Sequence, residues 1–579
     1  MVTLTIDGQK VTVPGGTTVL EAARRAGVAI PVLCHHPDQE VKAVCRVCVV
    51  EVAGSRTFQA SCAHPVAEGM VVRTNTPALR EARRTIVELM LATHPDDCLR
   101  CERNLRCELQ SLAEKLGVRE IHFDRLVREV PGDRSSPSLF RDPSKCIVCR
   151  RCVYTCSQVQ GVGILHPVHR GYETYVAPGW GRGLMEIACT LCGQCVHACP
   201  VGAIGEQDQT AEVWAALADP KKHVVVQTAP ATRVALGEEV GLPSGTIVTG
   251  KMVAALRRLG FDRVFDTDFT ADLTIMEEGH ELLHRLKNGG VLPMFTSCSP
   301  GWIKYMEHTY PEYLPHLSTC KSPQQMFGAL AKTYYAEQAG INPADIYVVS
   351  IMPCTAKKFE AQRPEMNSSG YRDVDVVLTT RELGRMIREA GIQFDRLPDS
   401  PYDDPLGIST GAAVIFGATG GVMEAALRTA YEVVTGRPLP KIDFEPVRGL
   451  QGIKEAEVDL DGTCLKVAVG HGLSNAQQIM ERVKSGEAGW HFIEIMCCPG
   501  GCIGGGGQPI PTNTEVRIQR SKGIYQVDRE LPLRKSHENP AVDQIYREFL
   551  AEPLGHRSHE LLHTHYTPRA RYGPPGGKS

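Results

Sequence analysis

The sequence lacks the features that would place the protein in a membrane or on a nucleic acid. No apolar run reaches the roughly 18 residues that a membrane-spanning helix needs. The formal net charge is only −3 at pH 7, which gives no reason to expect nucleic acid or an anionic membrane as a partner. The first eight residues, Met1-Val-Thr-Leu-Thr-Ile-Asp-Gly8, are typical of a strand and a turn and not of a signal peptide. We therefore expect a cytoplasmic protein.

Nucleotide-binding fingerprints are also missing. The chain has no GxxxxGK[ST] segment and no GxGxxG between a strand and a helix. Two glycine-rich stretches, 417–421 and 504–507, are better explained as turns and close backbone approaches. Flavin and nicotinamide sites, if the protein uses them, are therefore expected on partner chains.

Cysteine, in contrast, is abundant and unevenly distributed. The chain has 22 cysteines in 579 residues, and fifteen of them precede residue 200, mostly at two-residue gaps. Disulfide scaffolds are usually short secreted chains, whereas a long chain with repeated CxxC pairs is typical of metal binding. Disulfides are the alternative to this interpretation.

Residues 1–78 are predicted to form the first domain. Alternating apolar residues predict a hairpin around Asp7-Gly8, and a helix is expected over residues 19–26. The candidate ligands are Cys34, Cys45, Cys48 and Cys62, in a C-x10-C-x2-C-x13-C pattern. This segment resembles the plant-type 2Fe-2S β-grasp ferredoxins, in the long-spaced variant of complex I and hydrogenase subunits, and four thiolates suit one such cluster. Zinc is the alternative.

Residues 79–125 are predicted to be helical around a second ligand group. Cys98, Cys101 and Cys107 are one ligand short of a complete set, and His94 lies four residues before them. The pattern resembles the 4Fe-4S module of the same two families that one histidine and three cysteines hold. A neutral imidazole makes the cluster less negative and should raise its potential. A zinc site with the same four ligands is the alternative.

Residues 140–208 contain an internal repeat of the C-x2-C-x2-C-x3-C run. In bacterial two-cluster ferredoxins the fourth cysteine of each run binds the other cluster. One 4Fe-4S cluster is then predicted on Cys146, Cys149, Cys152 and Cys199, and the other on Cys189, Cys192, Cys195 and Cys156. The first run ends in Cys156-Ser157 and not in Cys-Pro, which is a small departure.

Residues 209–579 are predicted to be a large α/β domain with a C-terminal tail. Strand-like runs at 223–229, 291–296, 345–352, 374–380, 464–470 and 491–496 alternate with helical segments such as 250–259 and 276–286. This alternation favours mainly parallel sheets. Three of these runs end in cysteine beside proline or glycine, at Cys298, Cys354 and Cys497-Cys498. Since ligands collect at the carboxyl ends of strands, we expect one thiol-lined pocket.

Three segments of the large domain resemble the signatures of one protein family. Thr296-Ser-Cys-Ser-Pro-Gly-Trp302, Met352-Pro-Cys-Thr-Ala-Lys-Lys358 and Glu494-Ile-Met-Cys-Cys-Pro-Gly-Gly-Cys502 resemble the three signatures of iron-only (FeFe) hydrogenases. Those enzymes interconvert dihydrogen with protons and electrons. The resemblance spans essentially the whole chain. It implies an α/β multidomain protein with a β-grasp 2Fe-2S domain, a histidine-ligated 4Fe-4S domain, a two-cluster ferredoxin domain and a two-lobed α/β catalytic domain.

The family's H-cluster is a 4Fe-4S cubane joined through a cysteine sulfur to a two-iron unit with CO, cyanide and an azadithiolate bridge. The resemblance implies that Cys354, Cys498 and Cys502 bind the cubane, with Cys502 as the bridge. Lys357 would pair with a cyanide as a compact positive charge. The residues expected to line the pocket are Pro230, Ala231, Gln324, Met352, Phe416 and Met496.

A proton released in a buried site needs a chain of weak acids to reach solvent. The resemblance assigns this relay to Cys298, Glu278, Ser318 and Glu281. The two glutamates are three residues apart in a helical run and should share a face. A solvated helix face is the alternative for such a pair.

One departure from the family leaves a ligand open. The common motif is Thr-Ser-Cys-Cys-Pro-Gly-Trp, whose second cysteine binds the cubane, but this chain has Cys298-Ser299. In the preferred interpretation Cys298 remains the relay thiol and Cys320 becomes the fourth ligand. In the second interpretation Cys298 is the ligand and the relay changes. Ser299 ranks third because its oxygen is a poor match for soft iron. Cys464 and Cys497 are expected to be buried structural thiols.

The Cys-Ser variant resembles the catalytic subunits of multimeric NAD(P)-linked hydrogenases, some of which bifurcate electrons between ferredoxin and NAD(P)+. We therefore expect a flavin/NAD(P)-binding subunit and a small 2Fe-2S subunit as partners. The alternatives are a stand-alone ferredoxin-dependent hydrogenase, a hydrogen sensor and an electron-transfer subunit like that of complex I.

Overall fold

The computed structural model describes residues 1–460 and 462–573. The predicted catalytic domain runs to residue 579, so Asp461 and residues 574–579 lie outside the described part. None of the helices in the described ranges combines the length and apolar character that a bilayer crossing requires.

The first domain is a five-stranded sheet with one helix packed on it. Its elements are β1 (Val2–Ile6), β2 (Gln9–Val13), α1 (Val19–Arg25), β3 (Val49–Val52), β4 (Gln59–Ala60) and β5 (Val71–Arg73). The strand order is β2-β1-β5-β3-β4. The predicted hairpin is confirmed, since Ile6 pairs with Gln9 across the turn. Thr18 begins α1 with a reciprocal capping box to Glu21, which satisfies two backbone N–H groups at the helix start.

The next two segments are short helices and paired strands that carry cysteine loops. Their elements are α2 (Pro77–Ala92), α3 (Glu108–Lys115), β6 (Leu139–Arg141), α4 (Arg151–Tyr154), β7 (His166–Val168), β8 (Tyr175–Ala177), α5 (Gln194–Ala198) and β9 (Ile204–Glu206). β6 pairs with β9, so the two halves of the internal repeat lie side by side. The Gln39 side chain from the first domain donates to Thr155 Oγ1 at 2.8 Å, which places the first cysteine loop against the repeat.

The large domain has two separate four-stranded sheets. The first has the order β11-β10-β13-β14 and the second β12-β17-β16-β15. Their strands are β10 (His223–Thr228), β11 (Arg263–Asp266), β12 (Met294–Phe295), β13 (Ile346–Met352), β14 (Val376–Thr379), β15 (Ile453–Leu460), β16 (Thr463–His471) and β17 (Phe492–Met496). All neighbouring strands are parallel except β15 and β16. The predicted mainly parallel α/β domain is confirmed.

Helices cover both sheets. They are α6 (Thr210–Ala218), α7 (Thr249–Leu259), α8 (Thr267–Asn288), α9 (Pro300–Thr309), α10 (Pro323–Leu330), α11 (Ala336–Ala339), α12 (Ala356–Glu360), α13 (Thr380–Glu389), α14 (Gly411–Val414), α15 (Gly421–Thr435), α16 (Leu473–Lys484), α17 (Thr514–Glu530), α18 (Pro540–Ile545) and α19 (His556–Leu562). Separate apolar cores lie on each side of the sheets, with α8 between two of them. α8 is almost entirely buried in its first half.

The strands of the large domain differ from the prediction in three places. The run 291–296 contains only the two-residue strand β12, because Pro293 cannot donate a ladder hydrogen bond. β11 and β15 were not predicted from the sequence. The alternating burial of β15 shows that only one of its faces packs on the core.

Candidate functional site

The main cavity lies where strands of the two sheets end. Segments that follow β10, β12, β13 and β17 meet around about 800 Å³ of empty space. Because β13 belongs to one sheet and β17 to the other, the cavity lies between the two lobes. The predicted thiol-lined pocket is therefore built from segments more than 250 residues apart in the chain.

Three of the predicted cubane ligands lie together in this cavity. Cys354, Cys498 and Cys502 all line it. Burial, followed by the charge of a neighbouring Cys498 thiolate, raises the pKa of the Cys502 thiol to about 12. In so dry a site a thiolate needs a positive partner, and iron of a cluster is such a partner. The donor set therefore fits a thiolate-bound iron cluster.

Other predicted residues surround the same space. Pro230, Gln324, Met352, Phe416 and Met496 line the cavity. Ala231 is fully buried directly behind Pro230 and does not line it. The walls are chiefly apolar, which suits a site that excludes water.

Lys357 is the cation of the cavity. Its Nζ lies 3.2 Å from the backbone oxygen of Cys298 and 2.8 Å from Glu360. The side chain is only 8 % exposed and lines the cavity. It can therefore hold an anionic group inside the cavity with a positive charge that water barely screens.

The proposed relay residues form a buried row that leads away from the cavity. Glu278 and Glu281 share α8, and only 2 % and 8 % of their surfaces are exposed, so the solvated-face alternative is wrong. Cys298 lines the cavity, and Ser318 donates from its Oγ to Glu281 Oε2 at 2.9 Å. Arg285 then joins Glu281 at 2.6 Å and is partly solvent-exposed. The row reaches the surface.

The environment of Glu278 suits proton transfer. Burial, followed by the charge of Glu281, raises the pKa of Glu278 to about 8. The Ser318 hydroxyl and the backbone of Ser297 lie close enough to its carboxyl to offset this rise in pKa only in part. Burial, followed by the charge of Glu278, also raises the pKa of the Cys298 thiol. Both groups therefore remain protonated acids near neutral pH and can pass a proton on.

Cys320 lies elsewhere. Its side chain is fully buried, does not line the cavity, and places Sγ 3.9 Å from Glu281 Oε2. Its backbone pairs with His563 from the C-terminal segment, and this pairing holds it on the far side of the relay. The geometry gives no support to Cys320 as the fourth cubane ligand.

The two cysteines without a predicted role differ from each other. Cys464 is exposed near the β15–β16 turn, so the expectation of a buried thiol is wrong for it. Cys497 is buried and lines the main cavity together with Ser299. The sequence signal for Cys497 was its place directly before Cys498 in the third signature.

Two smaller cavities lie in the repeat segment. One, of about 400 Å³, is lined by the predicted set Cys146, Cys149, Cys152 and Cys199. The other, of about 470 Å³, is lined by Cys156, Cys189, Cys192 and Cys195. The folded chain thus brings together the crossed sets that the spacing predicts. Cys192 lines both its own cavity and the main one.

The N-terminal candidate ligands also converge. Cys34 lies within hydrogen-bonding distance of Cys45, and Cys48 of Cys62. His94 is 8 % exposed, and its Nδ1 has no hydrogen-bond partner in the described ranges. An imidazole nitrogen left unpaired in this way is available as a ligand. The loop that contains Cys98, Cys101 and Cys107 follows it directly.

The C-terminal segment, which was predicted to be a tail, is part of this site. His563 Nδ1 lies 2.8 Å from Thr319 Oγ1, and its Nε2 lies 3.1 Å from Glu277. The Tyr566 hydroxyl donates to the backbone oxygen of Cys320. These contacts hold the residues beyond Ser318 against α8.

Comparison with protein families divides the chain as the cysteine groups do. Residues 222–506 match the iron only hydrogenase large subunit, C-terminal domain, and residues 514–569 match the iron hydrogenase small subunit. Residues 1–77 match a 2Fe-2S iron-sulfur cluster binding domain. Residues 83–122 match the NADH-ubiquinone oxidoreductase-G iron-sulfur binding region, and residues 185–205 a 4Fe-4S binding domain.

Similar proteins cover the chain from end to end. The NADP-reducing hydrogenase subunit HndD of Solidesulfovibrio fructosivorans is 52 % identical over 99 % of this chain and 100 % of its own length. Iron hydrogenase 1 of Clostridium pasteurianum is 41 % identical over 98 % of this chain and 100 % of its own. A solved structure of a variant of the [FeFe]-hydrogenase HydA1 from Chlamydomonas reinhardtii is 47 % identical, with a TM-score of 0.57, over 63 % of this chain and 100 % of that one. The chain belongs to the iron-only (FeFe) hydrogenase family and is an oxidoreductase of that class.

Proposed function

We propose that the chain is the catalytic subunit of a multimeric hydrogenase that interconverts dihydrogen with protons and electrons. The observation that carries this proposal is the cavity in which cluster-binding thiols, a buried cation and the first relay thiol meet. The H-cluster, when bound, supplies the iron on which dihydrogen is split heterolytically. Cys354, Cys498 and Cys502 would hold its cubane, with Cys502 as the bridging thiolate, and Lys357 would hold an anionic ligand of the two-iron unit.

The chain's own groups carry the proton away from the cavity. As the Cys298 thiol, at the cavity wall, receives the proton, it would release its own proton to the Glu278 carboxyl, which would pass its proton on in turn. The Glu281 carboxylate would be the final acceptor. Ser318 links onward through its hydrogen bond to Glu281. Both glutamates are buried, so water is excluded from this row. The proton is therefore passed between these side chains and not to water.

Electrons would leave or arrive through a chain of iron-sulfur clusters. The four proposed groups are a 2Fe-2S cluster on the thiols of residues 34, 45, 48 and 62, a 4Fe-4S cluster on His94 and the thiols of residues 98, 101 and 107, and the two 4Fe-4S clusters of the repeat segment. Cys192, which lines both neighbouring cavities, is where this chain would meet the cubane.

The partners are proposed from the relative that covers the full chain. Its printed name, NADP-reducing hydrogenase subunit, describes a subunit of an assembly, and this chain shows no nucleotide fingerprint of its own. The comparison supports our proposal of a hetero-oligomer with a flavin/NAD(P)-binding subunit and a small 2Fe-2S subunit. Its cytoplasmic location and bifurcation to ferredoxin are proposed from the sequence alone. The 41 % identity to Iron hydrogenase 1 over its full length favours the second candidate, a stand-alone ferredoxin-dependent hydrogenase.

The decisive assay is hydrogen evolution from reduced viologen by the full chain after it has been supplied with the two-iron unit. We expect turnover in the parent chain and in the control variant Cys464→Ala, and none in Cys354→Ala. An inactive parent chain would instead favour a hydrogen sensor or an electron-transfer subunit. Co-expression with a flavoprotein subunit separates the remaining candidates, because only an assembly subunit would co-purify with it and accept electrons from NAD(P)H.

A further inference from the structure

The missing cysteine of the first signature leaves one position of the proposed cubane without a thiolate. Three of the cysteines that line the cavity, Cys354, Cys498 and Cys502, are the proposed ligands, whereas a cubane held by protein thiolates takes four. Of the other lining cysteines, Cys192 is assigned to a cluster of the repeat and Cys298 to the relay. Ser299 occupies the place of the usual fourth ligand, and its oxygen is a poor match for soft iron. Cys320 lies beyond the relay, against Glu281. A fourth thiolate must therefore come from another cysteine that lines the main cavity.

Cys497 lies beside Ser299. β12 and β17 are parallel neighbours, with Phe295 opposite Ile493, so the segments that follow them leave the sheet side by side. The backbone N–H of Cys497 donates to Ser299 Oγ at 3.2 Å. Both residues line the main cavity. Cys497 therefore lies next to position 299, where the family motif usually has its ligand cysteine.

The Cys497 side chain lies between an apolar core that contains Phe295 and Trp302 and two further thiols. Its Sγ is within hydrogen-bonding distance of the thiols of Cys498 and Cys192. The side chain is 4 % exposed, so it is not a surface thiol. A Cβ built on Gly301 would lie 2.6 Å from this sulfur, which shows that the glycine of the first signature leaves the space that the Cys497 side chain occupies.

We propose that Cys497 is the fourth thiolate of the cubane and takes the place vacated at Ser299. This inference rests on the proposed function, since it concerns the same cluster. The Ser-for-Cys exchange at 299 and the cysteine at 497 are then two parts of one change, in which the ligand moves from the loop after β12 to the loop after β17. Cys298 remains free to serve the relay, because it is not needed as a ligand.

The test uses the full chain produced without the two-iron unit, so that cluster binding is read apart from turnover. Cys497→Ala is compared with Cys320→Ala and Cys464→Ala by iron analysis and by Mössbauer and EPR spectroscopy. We expect Cys497→Ala alone to lose roughly four iron atoms, or to convert the cubane to a three-iron cluster. Full iron and parental spectra in Cys497→Ala would overturn the proposal, as would loss of the cubane in Cys320→Ala.

A second variant keeps the test decisive if the single variant does not fold. In Ser299→Cys/Cys497→Ala the thiol returns to the loop after β12, and we expect parental iron content and spectra. A folded double variant that still lacks the cubane would overturn the proposal. Turnover of the parent chain is measured separately: an inactive parent with a Cys497-dependent cubane contradicts the proposed function alone, and an active parent with a Cys497-independent cubane contradicts this inference alone.

Discussion

Glu277 and Glu278 are neighbours in α8 with opposite surroundings. Glu277 accepts hydrogen bonds from Tyr546, Leu554 and His563, whereas the carboxyl of Glu278 faces Ser318 and the backbone of Ser297. One turn of helix therefore presents a structural carboxylate to the C-terminal segment and a buried acid to the proposed relay. The two residues are of the same type. They differ because their side chains leave the helix in different directions.

Glu278→Gln should lower hydrogen turnover at least about 100-fold, because an amide cannot give up a proton in the relay. Iron content and cubane spectra should stay parental, since the residue touches no proposed ligand. The measurement is viologen-linked hydrogen evolution beside iron analysis. Glu277→Gln is the matched control and should lower the unfolding temperature more than the turnover, because it weakens charge-assisted hydrogen bonds worth about 1.5–3 kcal/mol each. Equal turnover in both variants would remove Glu278 from the relay.

The pKa of Glu278 also predicts a pH dependence of stability. The folded value of about 8 lies above the ordinary 4.5, so between these values the folded chain holds a proton that the unfolded chain has released. The contribution of the protonated Glu278 carboxyl to the free energy of unfolding is complete below pH 4.5. It is lost as pH rises through 8, with a slope of up to about 1.4 kcal/mol per pH unit. Thermal unfolding from pH 5 to 9 should show Glu278→Gln gaining on the parent chain as pH rises. A constant difference between the two proteins would show that the carboxyl is not perturbed.

At the scale of elements, a buried ion pair joins the repeat segment to the catalytic domain. Arg381 in α13 contacts Glu206 at the end of β9 through two hydrogen bonds of 3.1 and 2.8 Å, and both side chains are buried. Burial alone would raise the pKa of Glu206, but the charges of Arg381 and Arg385 lower it overall. The pair holds the strand that ends the two-cluster segment against the large domain.

Arg381→Met should destabilise this contact by roughly 3–5 kcal/mol, because it removes the main partner of a buried carboxylate. The expected result is a lower midpoint in thermal unfolding and faster proteolysis between the two domains. Glu206→Leu/Arg381→Met should be closer to the parent chain, since the buried carboxylate is removed together with Arg381 and Arg385 keeps Asp208 as a partner. If the double variant were as unstable as the single one, the hydrogen bonds of Arg381 to the carbonyls of Gly506 and Gln508 would be the larger contribution.

At the scale of the whole molecule, the proposed clusters differ in how well the protein covers them. Cys98 is exposed and Cys101 and Cys107 are partly exposed, whereas Cys34, Cys45, Cys48 and Cys62 are all buried. Of these two groups, the proposed histidine-ligated group therefore lies nearer to solvent. Access to reagents should follow the same order.

The complete chain without its two-iron unit should bind roughly 18 iron atoms. Mild oxidation in the presence of a chelator should first remove roughly four of them, from the site at Cys98, because reagents reach exposed sulfur more easily. EPR spectra recorded during the treatment should lose the signal that is absent in Cys98→Ala, while the 2Fe-2S signal persists. Earlier loss of the 2Fe-2S signal would contradict the predicted order.

Much of the protein follows from local patterns. The two-residue cysteine gaps predicted three ligands of each set, because ligands so close in the chain fall on one loop. The crossing of the fourth ligands was implied by the resemblance to bacterial two-cluster ferredoxins. Strand periodicity predicted the parallel α/β class, and the strand ends at Cys354 and Cys498 predicted the shared pocket. Such features depend on near neighbours in the chain, whose geometry is limited by the backbone itself.

The tertiary structure decided which distant residues meet. Only folding separates the strands into two sheets, turns Cys320 toward Glu281 and brings Cys497 beside Ser299, about 200 residues away in the chain. On the proposals above, Cys298 after β12 begins the proton path, while the fourth ligand comes from the segment that follows the neighbouring strand β17. Periodicity and spacing carry no information on such contacts, since they depend on how whole sheets pack.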